Sequence, residues 1–175
     1  MKDLTNIKLI VLDCDGVLSD GKITYDNDVL EVKNFSAKDG LGIKLLAFTP
    51  IKIAIITGRE SHILRRRCDD LGIELLFQKV RNKKKATQQL LDSLDLSWEN
   101  LAYMGDDWND FPAMKLARFS ATPADACEDF KAEVDLVCNR NGGDGAVREM
   151  IEYILKNMGL YEKVLHQFLD YLENS

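Results

Sequence analysis

The sequence predicts an α/β fold, a doubly wound parallel sheet with helices on both faces, on three observations. Apolar runs dense enough for buried strands recur at 7–13, 51–57, 74–77, 101–105, 119–121 and 135–137. Helical stretches fill the gaps, at about 40–48, 60–71, 83–94, 109–117, 124–132 and 145–158, and strand–helix alternation is what winds a parallel sheet. The strongest strands also end in acids, hydroxyls and glycines, and open sheets of this kind gather their sites at the carboxyl ends of strands.

Taken in order, the first strand delivers Asp13 and Asp15 just beyond Ile7 to Val11. Residues i and i+2 of an extended chain point to one side, so both acids can face one small space. Two carboxylates that close repel unless a cation sits between them or one holds a proton. Gly16 and Gly21 permit a sharp turn beside them, and Cys14, between the acids, is expected to point into the core. The stretch 22–36 alternates with period two around Asp26-Asn27-Asp28, which predicts a β-hairpin projecting from the sheet. The second strand ends in Thr57-Gly58-Arg59, the following helix carries Arg65-Arg66-Arg67, and Lys83 opens the helix after that. The fourth strand ends in Gly105-Asp106-Asp107-Trp108-Asn109-Asp110, a second acidic cluster. Trp108 is expected to pack at a helix start, and His62 and His166 to face solvent. Val164, Leu165, Phe168, Leu169 and Leu172 form one apolar stripe, which predicts a C-terminal helix over about 161–173.

The convergent chemistry is consistent. Oxygen-only ligands suit Mg²⁺, which takes one or two carboxylates together with waters and substrate phosphate. A hydroxyl and a lysine suit phosphate oxygens. The combination predicts phosphoryl transfer.

Composition narrows the setting. The chain has 175 residues, 46% of them hydrophobic, which fits one domain with a full core over 1–175. No run approaches a membrane span, and the amino end reads as no signal peptide. Four cysteines at 14, 68, 127 and 138 lack Cys-x-x-Cys spacing, so reduced thiols are expected. With 23 basic against 29 acidic residues, a general nucleic-acid binder is not expected.

Asp13-x-Asp15-Gly16-Val17, Thr57-Gly58, Lys83 and Gly105-Asp106-Asp107-x-x-Asp110 resemble, in order and spacing, the four motifs of the haloacid dehalogenase superfamily of phosphohydrolases. The resemblance implies that Asp13 is the nucleophile and Asp15 the general acid and base. It implies Mg²⁺ held by Asp13, Asp106 and the Asp15 backbone carbonyl, with Asp107 or Asp110 binding its waters or orienting Lys83. Thr57, Gly58 and Lys83 would hold the phosphoryl oxygens. Only the hairpin and a helix separate the first two motifs, so no cap domain is expected, and a neighbouring subunit would cover the site.

Asp20-Gly21, Lys38-Asp39-Gly40-Leu41-Gly42-Ile43-Lys44, Arg65-Arg66-Arg67 and Gly142-Gly143-Asp144-Gly145-Ala146-x-Arg148-Glu149 further resemble an uncapped tetrameric group within the superfamily that acts on keto-sugar acid phosphates. For this group the resemblance implies a cytoplasmic homotetramer that hydrolyses 3-deoxy-D-manno-octulosonate 8-phosphate in lipopolysaccharide inner-core synthesis. Nine-carbon keto-sugar acid 9-phosphates are the alternative substrate. Members acting on those tend to carry Glu where Arg59 stands and Lys where Asp70 stands, so Arg59 and Asp70 favour the eight-carbon acid. Lys38, Arg59 and Arg67 are the expected substrate contacts, Arg67 reaching a neighbouring subunit's site. Position 38 is often Arg in the group, and Lys keeps the charge without the planar fork. A phospho-receiver also gathers acids, Thr and Lys at strand ends, but it needs no acid at position 15; a non-catalytic binding domain would not need the full motif set.

Overall fold

The computed structural model describes residues 2–24 and 31–174. Six parallel strands form one sheet: β1 (Leu9–Leu12), β2 (Lys52–Ile56), β3 (Leu75–Phe77), β4 (Leu101–Met104), β5 (Phe119–Thr122) and β6 (Leu136–Val137), in the order β3-β2-β1-β4-β5-β6. β1 lies in the middle, its residues paired with Lys52–Ile55 on one side and Leu101–Met104 on the other. The chain winds outward from β1 to β3, then returns and winds the other way from β4. That reversal opens a crevice at the carboxyl ends of β1 and β4.

Both faces of β1 are buried, as its unbroken apolar sequence requires. Ile10 and Leu12 pack into one core with α1 (Ala37–Leu45), α2 (His62–Leu71) and α6 (Ala146–Asn157). Leu9 and Val11 pack into the other with α3 (Lys83–Ser93), α4 (Phe111–Met114) and α5 (Glu128–Lys131). The fold is the doubly wound α/β sheet that the sequence predicts.

Helix starts follow local capping chemistry. Ser36, Ser61 and Asn82 accept hydrogen bonds from Lys38 N, Leu64 N and Lys85 N at the starts of α1, α2 and α3. α1 begins earlier than predicted, at 37, and gives way at Leu46–Phe48 to a 3₁₀ turn. Its Gly42 faces α6, where a Cβ would stand 2.9 Å from Arg148 Cα, so a side chain there would push the two helices apart. α4 and α5 are single turns, shorter than the predicted 109–117 and 124–132. The last helix, α7 (Tyr161–Glu173), has the predicted extent; Val164 is buried and Phe168 packs on the core, while Leu169 and Leu172 are exposed.

The turn of the predicted hairpin, 25–30, lies outside the described residues. Its base is closed by an antiparallel bridge between Ser19 and Phe35 and by the Asn34 amide donating to Asp20 at 2.8 Å. The four cysteines are free, Cys14 being buried as expected. Among the described residues no helix is long and apolar enough to cross a membrane.

Candidate active site

Asp13 follows β1 directly, its N–H donating to Met104 O at 3.0 Å. The strand pairing therefore carries Asp13 to the crevice between β1 and β4. Asp106, one residue past the Gly105 that follows β4, and Asp110 just before α4 come to the same point. The carboxylates of Asp13, Asp106 and Asp110 offer oxygens that all lie within 4.8 Å of one another. Lys83, the first residue of α3, reaches this group from the same face of the sheet. Its ammonium lies 2.7 Å from Asp110 Oδ1 and 2.9 Å from Asp13 Oδ1. Asp13, Lys83 and Asp110 are all buried.

The electrostatics of this cluster are unbalanced. Three carboxylates face one ammonium, and burial disfavours every charge among them. Burial, with the charge of Asp13 beside it, pushes the Asp106 carboxyl up to about 7. Asp13 and Asp110 are raised as well, burial outweighing the Lys83 ammonium. Burial opposes the charge of Lys83, but Asp110 and Asp13 outweigh it and hold its pKa above the ordinary value. Asp13 Oδ1, for all its closeness to Lys83, accepts no aligned hydrogen bond, and Asp110 Oδ2 is buried without a partner. Unsatisfied carboxylate oxygens in a buried acidic cluster fit a hard divalent cation, which would supply the missing positive charge. Asp13 and Asp106 would hold it, while Asp110 pairs with Lys83 through Oδ1 and turns its unpartnered Oδ2 to the same cluster.

Asp15 turns its carboxylate toward other groups. Its Oδ1 pairs with Lys33 Nζ and accepts from Ser19 Oγ at 3.2 Å, and Arg59 Nε lies 3.9 Å from Oδ2. The turn just past Asp15 needs Gly16, whose φ is +91°. A Cβ there would meet Asp106 Oδ2 at 2.0 Å, so Asp106 occupies space that only a glycine leaves.

Thr57 is buried at the end of β2, fixed by its N–H to Phe77 O and its carbonyl to Val80 N. Gly58 and Arg59 follow it into solvent. Of the remaining expected site residues, Asp107 is exposed and accepts from Trp108 N at 2.7 Å, so it stands outside the buried cluster. Trp108 is half exposed and packs edge-on against Phe111 and Phe130, at the start of α4 as expected. Lys38 lies elsewhere, beside Gly145, Arg140 and Arg148. Arg67 is tied within its own chain, donating to Ser36 O at 3.0 Å and lying over the Phe35 ring. The structure does not bring Asp107, Lys38 or Arg67 into the acidic cluster.

Two residues of the site escaped the sequence reading. Tyr103 on β4 donates its hydroxyl to Asp110 Oδ1 at 3.0 Å; in sequence it is one more apolar-run aromatic. Lys33 is 4% exposed at its side chain and contacts both Asp15 and Glu31. Its spacing from Glu31 and Phe35 puts these three on one side of an extended segment, a weak signal by itself.

The chain is similar to known proteins over most of its length. Residues 70–151 match the model of the haloacid dehalogenase-like hydrolases. The chain is 44% identical over 156 residues to 3-deoxy-D-manno-octulosonate 8-phosphate phosphatase of Haemophilus influenzae, covering 89% of this chain and 87% of that one. The chain belongs to the haloacid dehalogenase-like hydrolases. Within them its likeness is to phosphatases of one named sugar-acid phosphate, for the enzyme of Escherichia coli K12 is 41% identical over 162 residues, 93% of this chain and 86% of that one. The crystal structure of the Moraxella catarrhalis 3-deoxy-D-manno-octulosonate 8-phosphate phosphatase, in complex with magnesium ion, phosphate ion and KDO, superposes with a TM-score of 0.91 at 38% identity, covering 95% of each chain. The cobalt-bound form of the Haemophilus influenzae phosphatase gives 0.87 at 42% identity, covering 91% of this chain and 94% of that one.

Proposed function

We propose that this chain is a magnesium-dependent phosphatase that hydrolyses 3-deoxy-D-manno-octulosonate 8-phosphate to the free sugar acid and phosphate. The observation that carries the reading is the cluster of buried Asp13, Asp110 and Lys83 with half-buried Asp106 at the switch point of the sheet, with carboxylate oxygens left unsatisfied. The named relatives supply the substrate.

Magnesium, held by the Asp13 and Asp106 carboxylates and the Asp15 backbone carbonyl, would neutralise charge on the phosphoryl group. Asp13 attacks phosphorus, and the bond from phosphorus to the sugar oxygen breaks. Asp15 gives its proton to that oxygen, an alkoxide too basic to leave unaided. In the second half Asp15 takes a proton from water, which attacks phosphorus and releases Asp13 and inorganic phosphate. Covalent catalysis thus divides one slow displacement into two. The Thr57 hydroxyl, the Gly58 N–H and the Lys83 ammonium hold the transferring oxygens, where charge must be stabilised. Asp110 and Tyr103 keep Lys83 aimed at Asp13.

The whole chain is read as one uncapped domain whose site opens to solvent beside Arg59. The Arg59 guanidinium suits the substrate carboxylate. A homotetramer in which a neighbour closes the crevice, contributing Lys38 or Arg67, completes the reading. For Arg67 this requires release from Ser36 and Phe35. The expected setting is the cytoplasm, with the product passing to lipopolysaccharide inner-core synthesis.

The test is Mg²⁺-dependent phosphate release from octulosonate 8-phosphate, beside a nononate 9-phosphate and a hexose phosphate. The eight-carbon acid is expected to have the highest kcat/KM. A preference for the nine-carbon acid would overturn the substrate, and no turnover of any of the three would overturn the phosphatase reading. Sedimentation of the same preparation tests the tetramer, which a monomer would refute.

A further inference from the structure

Lys33 reaches the site from the segment that returns to the sheet after residues 25–30. Lysine is rarely buried without a partner, because an ammonium out of water is costly. Here the side chain is 4% exposed and pairs with Asp15 Oδ1, with Glu31 Oε1 at 3.6 Å beyond. Ser19 Oγ donates to the same Asp15 oxygen at 3.2 Å. Oδ2 is differently placed: among the described residues it faces only Arg59 Nε, at 3.9 Å, beyond hydrogen-bond reach. One oxygen of the carboxylate is fixed and the other is left to act.

Lys33 is itself anchored. Glu31 Oε2 accepts from Ser61 Oγ at 2.8 Å, and Ser61 Oγ caps α2 by accepting from Leu64 N at 3.0 Å. Ser61 N donates to the Gln78 side chain at 2.7 Å. The chain of contacts runs from Asp15 through Lys33 and Glu31 to the start of α2, just past Thr57 and Gly58.

The geometry points to Lys33 as a positioning residue, which grips Asp15 by Oδ1 so that Oδ2 is the oxygen exchanging protons with the leaving group and the attacking water. The inference rests on Asp15 being the general acid and base, as proposed above. Lys33 contacts no reacting atom in this scheme. Its contribution is orientation, and a misplacement of about 1 Å in such a group can cost about 100-fold in rate.

The test compares Lys33→Met, Lys33→Arg, Glu31→Gln and Asp15→Asn with the unaltered protein, on octulosonate 8-phosphate and on p-nitrophenyl phosphate. A nitrophenolate leaves without a proton, so transfer of its phosphoryl group to Asp13 does not need the acid. Lys33→Met is expected to lower kcat on the sugar phosphate about 30-fold or more, with KM within about threefold. With p-nitrophenyl phosphate the first-turnover burst should survive and the later turnovers slow, because water activation also uses Asp15. Lys33→Arg should recover part of the loss, and Glu31→Gln should show the same pattern more weakly. Equal loss at every stage with both substrates would overturn the inference, as would a raised KM at unchanged kcat, which marks a substrate contact. If Lys33→Met does not fold, Glu31→Gln decides: an unchanged kcat overturns the inference. Asp15→Asn separates the two levels, since full activity there sinks the acid–base reading itself, whereas an inactive Asp15→Asn beside a normal Lys33→Met sinks only the role of Lys33.

Discussion

Replacing Gly16 by alanine adds one methyl group where the turn after β1 meets the acidic cluster. The backbone there has φ of +91°, and a side chain in so sparsely populated a region costs on the order of 1–3 kcal/mol. The new Cβ would lie 2.0 Å from Asp106 Oδ2 and 2.6 Å from its Cγ. Carbon contacts settle at about 3.5–4.0 Å, so the Asp106 carboxylate must move by on the order of 1 Å or more. A ligand so displaced should weaken Mg²⁺ binding at least about tenfold, the scale on which metal sites respond to lost support. The backbone strain should lower the metal-free Tm by roughly 2–12 °C, at about 2–4 °C per kcal/mol for a chain of this size. Calorimetric titration with Mg²⁺, beside thermal unfolding with and without the ion, measures both. Gly16→Ala with unaltered Mg²⁺ affinity and Tm would refute the claim that Asp106 holds the metal in the space Gly16 leaves.

Tyr103→Phe removes the hydroxyl that donates to Asp110 Oδ1 at 3.0 Å; stability should fall by about 1 kcal/mol, and steady-state kinetics should show a several-fold lower kcat from a less constrained Lys83. Asp39 is fully buried and accepts from Gly145 N at 3.1 Å and Arg148 N at 2.9 Å at the start of α6. Asp39→Ala strands both donors, and denaturant unfolding should register a loss of about 2–4 kcal/mol. The Asp106 carboxyl, raised by burial and by Asp13 from 3.8 to about 7, gives a pH dependence. In the metal-free protein the folded state keeps a proton that the unfolded chain has already lost, so this contribution to stability is full below about pH 3.8 and disappears as pH rises through about 7. Thermal unfolding in chelator should show that decline, and Asp106→Asn should reduce it, the raised Asp13 and Asp110 carboxyls keeping the remainder. Mg²⁺ affinity should move the opposite way, strengthening up to about pH 7 as the proton leaves.

The parts of the site that sit one or two residues beyond a strand were legible in the sequence. Once the apolar runs are read as parallel strands, Asp13, Thr57 and Asp106 have nowhere to go but the carboxyl edge. Lys83 follows because it opens the helix that returns over β2. What was not legible depends on packing between distant segments. Tyr103 reads as a core residue because its one polar atom reveals its use only when Asp110 folds back over β4. Lys33 and Asp15 meet only through the folding of distant segments, which alternation of residue types does not determine. The competition among carboxylates at 106, 107 and 110 is settled by the start of α4, where Pro112 stands in the first turn. That turn buries Asp110 against Lys83 and leaves Asp107 in water. Of the arginine triplet, Arg67 donates to Ser36 O and lies over the Phe35 ring of its own chain, a pairing that helical spacing alone does not reveal.

In the proposed mechanism Asp13 carries the phosphoryl group. The direct measurement uses Asp15→Asn, which should form the aspartyl phosphate from p-nitrophenyl phosphate and Mg²⁺ but hydrolyse it slowly. Acid quenching followed by peptide mass spectrometry should find phosphate on Asp13, and none should form without Mg²⁺ or in Asp13→Asn. Phosphate on another residue, or continued turnover by Asp13→Asn, would contradict it.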